Sequence, residues 1–486
     1  MKQIGVLCHV SSLPSKFGIG DFGKSSFDFI DFLSSNNFQL WQILPLNPTN
    51  NFNCPYSSHC SFAFDEMFID VQPFINNQTI QANDIKKLFK VSATAKVAYT
   101  VVKQEKSKII DKIFNSLNLL EIEKIKNEIK KSKWLGDYAY FTVVLKTFKE
   151  QDFRKIDKNL WDKQNTKHKV FKKDHMKQIL RCAFGQLLLL SQWKKVKEYA
   201  HSKRIKIIGD LPIYPAPNSF DVFYFNNLFK LDKKTMNPLV YGGVPADDFC
   251  KDGQNWGTCV YDWKKLEIAN YSFLINKIKH CLQTYDILRL DHFFGYVQHY
   301  EWNALNPKVG KWVKTNAKNF FNTLHKHIDF NNIIIEDLGF QLPSAKKIKN
   351  QFNLCGMAVM QMALNNPQNN IYLPQNVSTN NIYYLGTHDN NTFMGFLKGL
   401  TYQKKEEFCT AIECKSMNNK KILIHAMNCA VNSKCERVIL TLQDLLVQDE
   451  KSRMNTPGRA EGCWEYKAPA NYKNKARKLI DKLTKF

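Results

Sequence analysis

Residues 286–291 read Asp-Ile-Leu-Arg-Leu-Asp, an apolar run that carries Arg289 and Asp291 two places apart. In an extended strand, residues i and i+2 share a face. Ile287, Arg289 and Asp291 therefore point one way, and Leu288 and Leu290 the other. A second run, 332–338, puts Glu336 on the face of Ile334, and a third, 381–389, ends in His388 and Asp389. Neighbouring strands lie about 4.8 Å apart. Inward carboxylates at adjacent strand ends then match the roughly 5–5.5 Å at which one carboxylate attacks a glycosidic carbon while the other serves as acid and base. An inverting pair needs about 6.5–9.5 Å. On this reading Arg289 keeps Asp291 ionised and aims it by charge-assisted hydrogen bonds. Glu336 carries a raised pKa and arrives protonated, and Asp389 faces the pair across the rim to hold sugar hydroxyls. Taken alone, Arg289 and Asp291 would be a buried ion pair that fastens the core. Glu336 and Asp389 tip the reading to catalysis.

The elements that must position these residues are short apolar runs: 4–10, 39–46, 205–214, 286–291, 332–338, 356–363, 381–389 and 437–446. Several are nearly continuous in apolar residues, as strands buried on both faces are. Helix-like stretches, among them 26–36, 184–203, 271–283 and 318–327, lie between most of them. Eight strands alternating with helices predict an α/β fold, a (β/α)8 TIM barrel, over residues 1–486. Most runs end in polar residues: His9, Asp210, Arg289 with Asp291, Glu336 with Asp337, His388 with Asp389, and Gln443 with Asp444. Any one Asp after a strand is often a helix N-cap, but the C-terminal strand ends of such a barrel build its active site. Residues 60–204, between the second and third runs, are too long for one crossover and predict a mostly helical inserted subdomain.

The bulk composition bounds the function. A chain of 486 residues, 44% of them hydrophobic, buries a large core. No apolar run is long enough to span a membrane, and the N-terminus lacks a secretory pattern. The 13 cysteines are irregularly spaced, with no CxxC pair. A reducing compartment fits them better than a disulfide framework or a zinc site. Of the 12 histidines, only His325 and His327 are close together, and no metal-ligand cluster accompanies them. The net charge of +25 raises nucleic-acid binding. The lysines are dispersed, mainly in 84–177 and in the C-terminal stretch, and read as solvated helix faces.

The motifs around these residues resemble glycoside hydrolase family 77, the amylomaltase or 4-α-glucanotransferase family of the α-amylase clan. The matching stretches are LCHVSSLPSKFGIGDFG, LWQILPLNPTN, CPYSSHCSFAF, IGDLPIY, YGGVPADDFCKDGQNWGTCVYDW, RLDHFFGY, IIIEDLG, LGTHDNNT, LQDLL and RMNTPG, from residue 7 to about 466. The resemblance implies that Asp291 is the nucleophile, Glu336 the acid/base and Asp389 the transition-state stabiliser. Arg289, His292, His388, Asp210 and Tyr56 would surround the sugar. The 242–257 segment would be an active-site loop, with Asp247, Phe249, Gln254 and Trp256 as glucan contacts. The chain departs from the family at Cys54 and Cys463, where Ser and Asn are usual, at Ala246 and Asp248, at Leu385 and Asn391, and in a shorter 302–314 segment.

The resemblance implies glucan transfer by double displacement, with no metal or redox cofactor. The partners would be maltooligosaccharides, glucose and larger α-glucans, with no nucleic acid and no membrane. The protein would be a monomer or weak homodimer in the cytoplasm, with the plastid stroma also open. The rival readings are a retaining α-glucan hydrolase of the same clan and a glucan-binding protein without activity.

Overall fold

A computed structural model describes residues 2–245, 253–306, 308–339, 342–364 and 370–483. All eight apolar runs form strands: β1 (Gln3–Leu7), β2 (Leu40–Gln42), β3 (Lys206–Leu211), β4 (Ile287–Leu290), β5 (Ile333–Ile335), β6 (Gly356–Val359), β7 (Asn381–Tyr384) and β8 (Arg437–Thr441). Every pairing is parallel, in the order β6-β7-β8-β1-β2-β3-β4-β5. The last seam, β5 to β6, closes through a parallel bridge between Ile334 and Cys355, where the Ile335 N–H donates to the Cys355 carbonyl at 2.8 Å.

Strand alternation sorts the core into two layers. Leu7, Leu40, Ile208, Ile287, Ile334, Met357, Ile382 and Ile439 pack together inside the barrel. Leu288, Leu290, Ile333, Ile335, Val438 and Leu440 belong to the outer cluster that meets the helices. Arg289 follows Ile287 on the inward face, as the i, i+2 pattern requires.

The helices between β2 and β3 run from Gln72–Asn76 to the long Met176–Ser202. The latter also lies on the barrel wall, where the Trp193 indole donates to the Thr284 carbonyl at 2.9 Å. The helix Tyr99–Asn115 braces two loops of the rim. Lys103 donates to Thr49 at 2.7 Å and Asn53 at 3.0 Å, and the Tyr99 hydroxyl donates to the Trp464 carbonyl at 2.7 Å.

The sequence reading took 242–257 as a loop. In the structure its two ends are paired strands, Val240–Val244 and Gln254–Cys259, flanking residues outside the described set. They join Gln298–Asn303 and Gly310–Lys314 in a four-stranded antiparallel sheet beside the barrel. Glycines at 242, 243 and 257 lower the strand propensity of this stretch, so pairing rather than local preference makes it a sheet. Among the described residues no helix is long and apolar enough to cross a membrane.

Gly5 marks a close approach of two barrel strands: a Cβ there would lie 2.4 Å from the Leu40 Cβ and 2.5 Å from the Leu40 carbonyl oxygen. Because backbone cannot swing aside, Gly5→Ala is expected to destabilise by about 1–3 kcal/mol, read as a lower thermal midpoint.

Candidate active site

The C-terminal ends of β3, β4 and β5 converge on one buried guanidinium. Asp210 of β3 is in register with Arg289 of β4, and that pairing sets the contact. Arg289 Nη1 donates to Asp210 Oδ1 and Oδ2, both at 2.7 Å, and to Asp291 Oδ1 at 2.9 Å. Its Nη2 lies 3.1 Å from Glu336 Oε2. The side chains of Arg289 and Asp210 are sealed, whereas those of Asp291 and Glu336 each keep 23% exposure. The two carboxylates that face the opening are therefore the pair on adjacent strands.

Glu336 has a second donor. His292 turns into the left-handed region, φ 47°, and its backbone N–H reaches Glu336 Oε2 at 2.7 Å. The environments push the two carboxyls in directions other than those expected from the sequence. Burial raises the Asp291 carboxyl well above its usual range. Arg289 pulls it down, but the Glu336 and Asp210 charges oppose that pull. Burial acts on Glu336 in the same sense, yet Arg289 and the His292 N–H outweigh it and hold the carboxyl below its usual value. One guanidinium cannot balance three carboxylates in a buried cluster, so the pair retains a proton.

Asp389, beyond β7, is fixed from three sides. Asn455 donates to its Oδ1 at 2.6 Å, His388 Nε2 lies 3.2 Å from Oδ2, and Arg453 donates to its backbone carbonyl at 2.7 Å. Burial opposes ionisation, but His388 and Asn455 hold this carboxyl well below its usual value. Tyr56 completes the floor. Its hydroxyl donates to Asp210 at 2.7 Å, and its ring stacks on His388 with centroids 5.1 Å apart, while Trp464 leans against both rings. Burial lowers the pKa of His292 to about 4 and that of His9 to about 3. Both imidazoles are neutral near pH 7.

A bulge brings the antiparallel sheet to this rim. Gly243 pairs with Asn255 but Gly242 pairs with Thr258, so Trp256 and Gly257 are extra residues on their strand. Gly257 takes up the bend with φ 64°. Trp256 then meets His292 edge to face, with centroids 4.8 Å apart, and its indole N–H donates to Gln254 at 3.3 Å.

Tyr56, Asp210, Arg289, Asp291, His292, Glu336, His388 and Asp389 thus come together, and Gln254 and Trp256 join them through His292. Asp247 and Phe249 lie outside the described residues. Not every strand-end acid belongs to the cluster. Asp337 accepts from Lys349 at 2.6 Å and from the Met357 N–H at 2.9 Å, and Asp444 accepts from the Phe393 N–H at 2.7 Å. Both fasten loops. The Cys463 thiol packs within its own turn against carbonyls of Arg459 and Glu461, and burial pushes the Cys54 thiol up to about 11. The sequence reading gave no role to Arg453, Asn455 or Trp464. Its one signal for the first two was the stretch RMNTPG, which has no strand or helix periodicity. Among the described residues no group of three His, Cys, Asp or Glu side chains is placed to hold a metal ion.

A closed barrel of eight parallel strands with an arginine-linked carboxylate pair at its C-terminal rim defines the class: barrel enzymes that act on glycosidic bonds. The chain belongs to the 4-alpha-glucanotransferase family of glycoside hydrolases, whose family model matches residues 8–472. It is 34% identical to a 4-alpha-glucanotransferase of Aquifex aeolicus, over 99% of this chain and 98% of that one. It is 33% identical to one of Clostridium butyricum, over 98% and 99%. The solved structure of an amylomaltase from Streptococcus agalactiae in complex with acarbose superposes with a TM-score of 0.92 at 28% identity, covering 99% of this chain and 98% of that one.

Two outcomes follow from this geometry. Asp210→Asn removes one negative charge from the cluster. The carboxylate pair then gives up its proton more easily, and the alkaline limb of the kcat/KM profile moves to lower pH; an unmoved limb would refute the shared proton. Asn455→Ala leaves Asp389 without its shortest donor. A drop in kcat of up to about 100-fold is expected from the misplaced carboxylate, with little change in thermal midpoint.

Proposed function

We propose that this protein moves α-1,4-glucan segments from one maltooligosaccharide, or from a larger starch- or glycogen-derived glucan, to another glucan or to glucose. Glu336 protonates the glycosidic oxygen, and Asp291 attacks C1 to form a covalent glucosyl-enzyme. The free glucan end departs. Glu336, now a base, takes the proton of an incoming 4-hydroxyl, whose oxygen attacks C1 and displaces the Asp291 carboxylate, so that an α-1,4 bond forms with retention. The observation that carries this reading is the single Arg289 guanidinium bound to both Asp291 and Glu336 at adjacent strand ends.

Substrate decides which of the two carboxyls carries the shared proton. A glycosidic oxygen against Glu336 is an acceptor for a carboxyl proton, and the charge developing at C1 favours the Asp291 anion. The proton shared by the pair therefore passes to Glu336 as the bond begins to break. Asp389, kept ionised by His388 and Asn455, stabilises the positive ring. Tyr56 with His388 on one side, and Trp256 with His292 on the other, are the sugar's walls. Transfer outruns hydrolysis when acceptor fills the site and water is kept out. The hairpin that carries Gln254 and Trp256 is placed for that task. The twelve free thiols among the described residues suit a reducing compartment, cytoplasm or plastid stroma.

Incubation with maltotriose discriminates between the readings. A ladder of longer products with glucose is expected, and Asp291→Asn lowers its rate by about 10⁴-fold or more. Glucose and maltose alone would mean a hydrolase, and no turnover would mean a binding protein.

A further inference from the structure

The antiparallel sheet meets the barrel through a buried ion pair. Gly242 marks the face that looks inward: a Cβ there would lie 2.8 Å from the ring of Tyr214, in the loop after β3, and 3.1 Å from Thr258 Oγ1. Gly242 is in register with Glu301 on one side and Thr258 on the other. Residues i and i+2 share a face, so His299 and Val244 look inward as well, and so does Gln254, the partner of Val244. Trp256 joins them, since its indole N–H donates to the Gln254 side chain and its ring meets His292.

On that face Glu301 is 3% exposed and His299 1%. Glu301 accepts from His299 Nε2 at 2.8 Å and from the Lys230 ammonium. Burial pushes the Glu301 carboxyl up, but the bonds from His299 and Lys230 outweigh it and hold the group below its usual value. A carboxylate therefore sits in the seam at neutral pH. Lys230 also holds the hairpin by its backbone. Its N–H donates to the Val260 carbonyl at 3.0 Å, and its carbonyl accepts from the Leu239 N–H at 2.9 Å. Leu239 and Val260 flank the two hairpin strands at their base. Lys230 thus grips that base with its main chain and the neighbouring strand, Gln298–Asn303, with its side chain. The chain enters this strand directly after the His292 turn.

An ion pair is a costly way to join two buried surfaces, because apolar residues of similar volume often hold as well or better. What it adds is direction. A carboxylate gripped by two donors fixes one alignment, where an apolar seam tolerates several. We propose that Glu301, with His299 and Lys230, is a positioning group for transfer: it sets the alignment at which the hairpin presents Gln254 and Trp256 to His292, and so decides whether acceptor or water meets the glucosyl-enzyme. The three act through the hairpin and not on the sugar. The inference rests on the glucan-transfer reading and names the residues that govern its partition between transfer and hydrolysis.

Two variants test it. Glu301→Gln keeps the shape and removes the charge. Lys230→Met together with Glu301→Met replaces the pair by apolar chains. With maltotriose, longer glucans count transfer and new reducing ends count hydrolysis. The ratio of transfer to hydrolysis is expected to fall by about 10-fold in both variants, while the double variant keeps a thermal midpoint near that of wild type. An unchanged ratio would overturn the proposal. So would an equal loss of both products in step with a lowered midpoint, since the joint would then merely stabilise the fold. Hydrogen exchange reads the alignment without turnover. Amides of Gln254–Cys259 are expected to exchange about 10-fold faster in both variants, with those of β3 and β4 unchanged. Equal protection overturns the proposal whether or not wild-type protein makes the ladder. A missing wild-type ladder beside faster exchange in the variants faults the transfer reading and supports the alignment.

Discussion

One guanidinium stands between three carboxylates. Arg289 is sealed in the barrel mouth and binds Asp210, Asp291 and Glu336 at once. A buried cation costs several kcal/mol of desolvation unless it is well paired, and three carboxylates more than compensate it. The excess negative charge then has to be relieved by a proton. Asp210, sealed and held by Tyr56, is committed to the arginine. The proton is therefore left to the two carboxylates that face the opening. The chemistry needs such a pair: one anion to attack, and one acid that turns base in the second half-reaction.

The rest of the structure can be read as support for that charge arrangement. The in-register pairing of Asp210 with Arg289 fixes the cation from one side, and the left-handed turn at His292 fixes Glu336 from the other. The bulge at Trp256 and Gly257 closes an aromatic wall against His292, while the helix Tyr99–Asn115 holds the loops that carry Tyr56 and Trp464.

Most of the barrel was legible in the sequence because parallel strands buried on both faces are nearly continuous apolar runs. Arg289, Asp291 and Glu336 were legible for the same reason: a charge at the end of such a run stands out. The antiparallel sheet was not. VYGGV and QNWGTC carry glycines that weaken strand propensity, and the other partner of VYGGV, Gln298–Asn303, lies about 60 residues downstream. What lowers the Glu336 carboxyl was not legible because part of it is a backbone N–H, which reaches Glu336 only through the φ of 47° at His292. Asn455 showed only as part of the stretch RMNTPG, with no role, because a residue in an irregular segment has no period to betray which way it points.

The bracing of Asp389 has a consequence for the order of synthesis. Strand β8 pairs with β1, and the segment after it supplies Arg453 and Asn455 to Asp389 and Trp464 to the Tyr56 wall. That segment is tied down by the inserted helices, through the Val97 N–H to the Glu465 carbonyl at 3.0 Å and a bridge between Lys96 and Tyr466. These residues are made well after Asp291 and Glu336, since chains are made from the N-terminus, and a domain folds as a unit. Until they dock, Asp389 lacks the Asn455 and Arg453 donors and the Tyr56 wall lacks Trp464. The barrel's closing strand and the completion of its site thus arrive together.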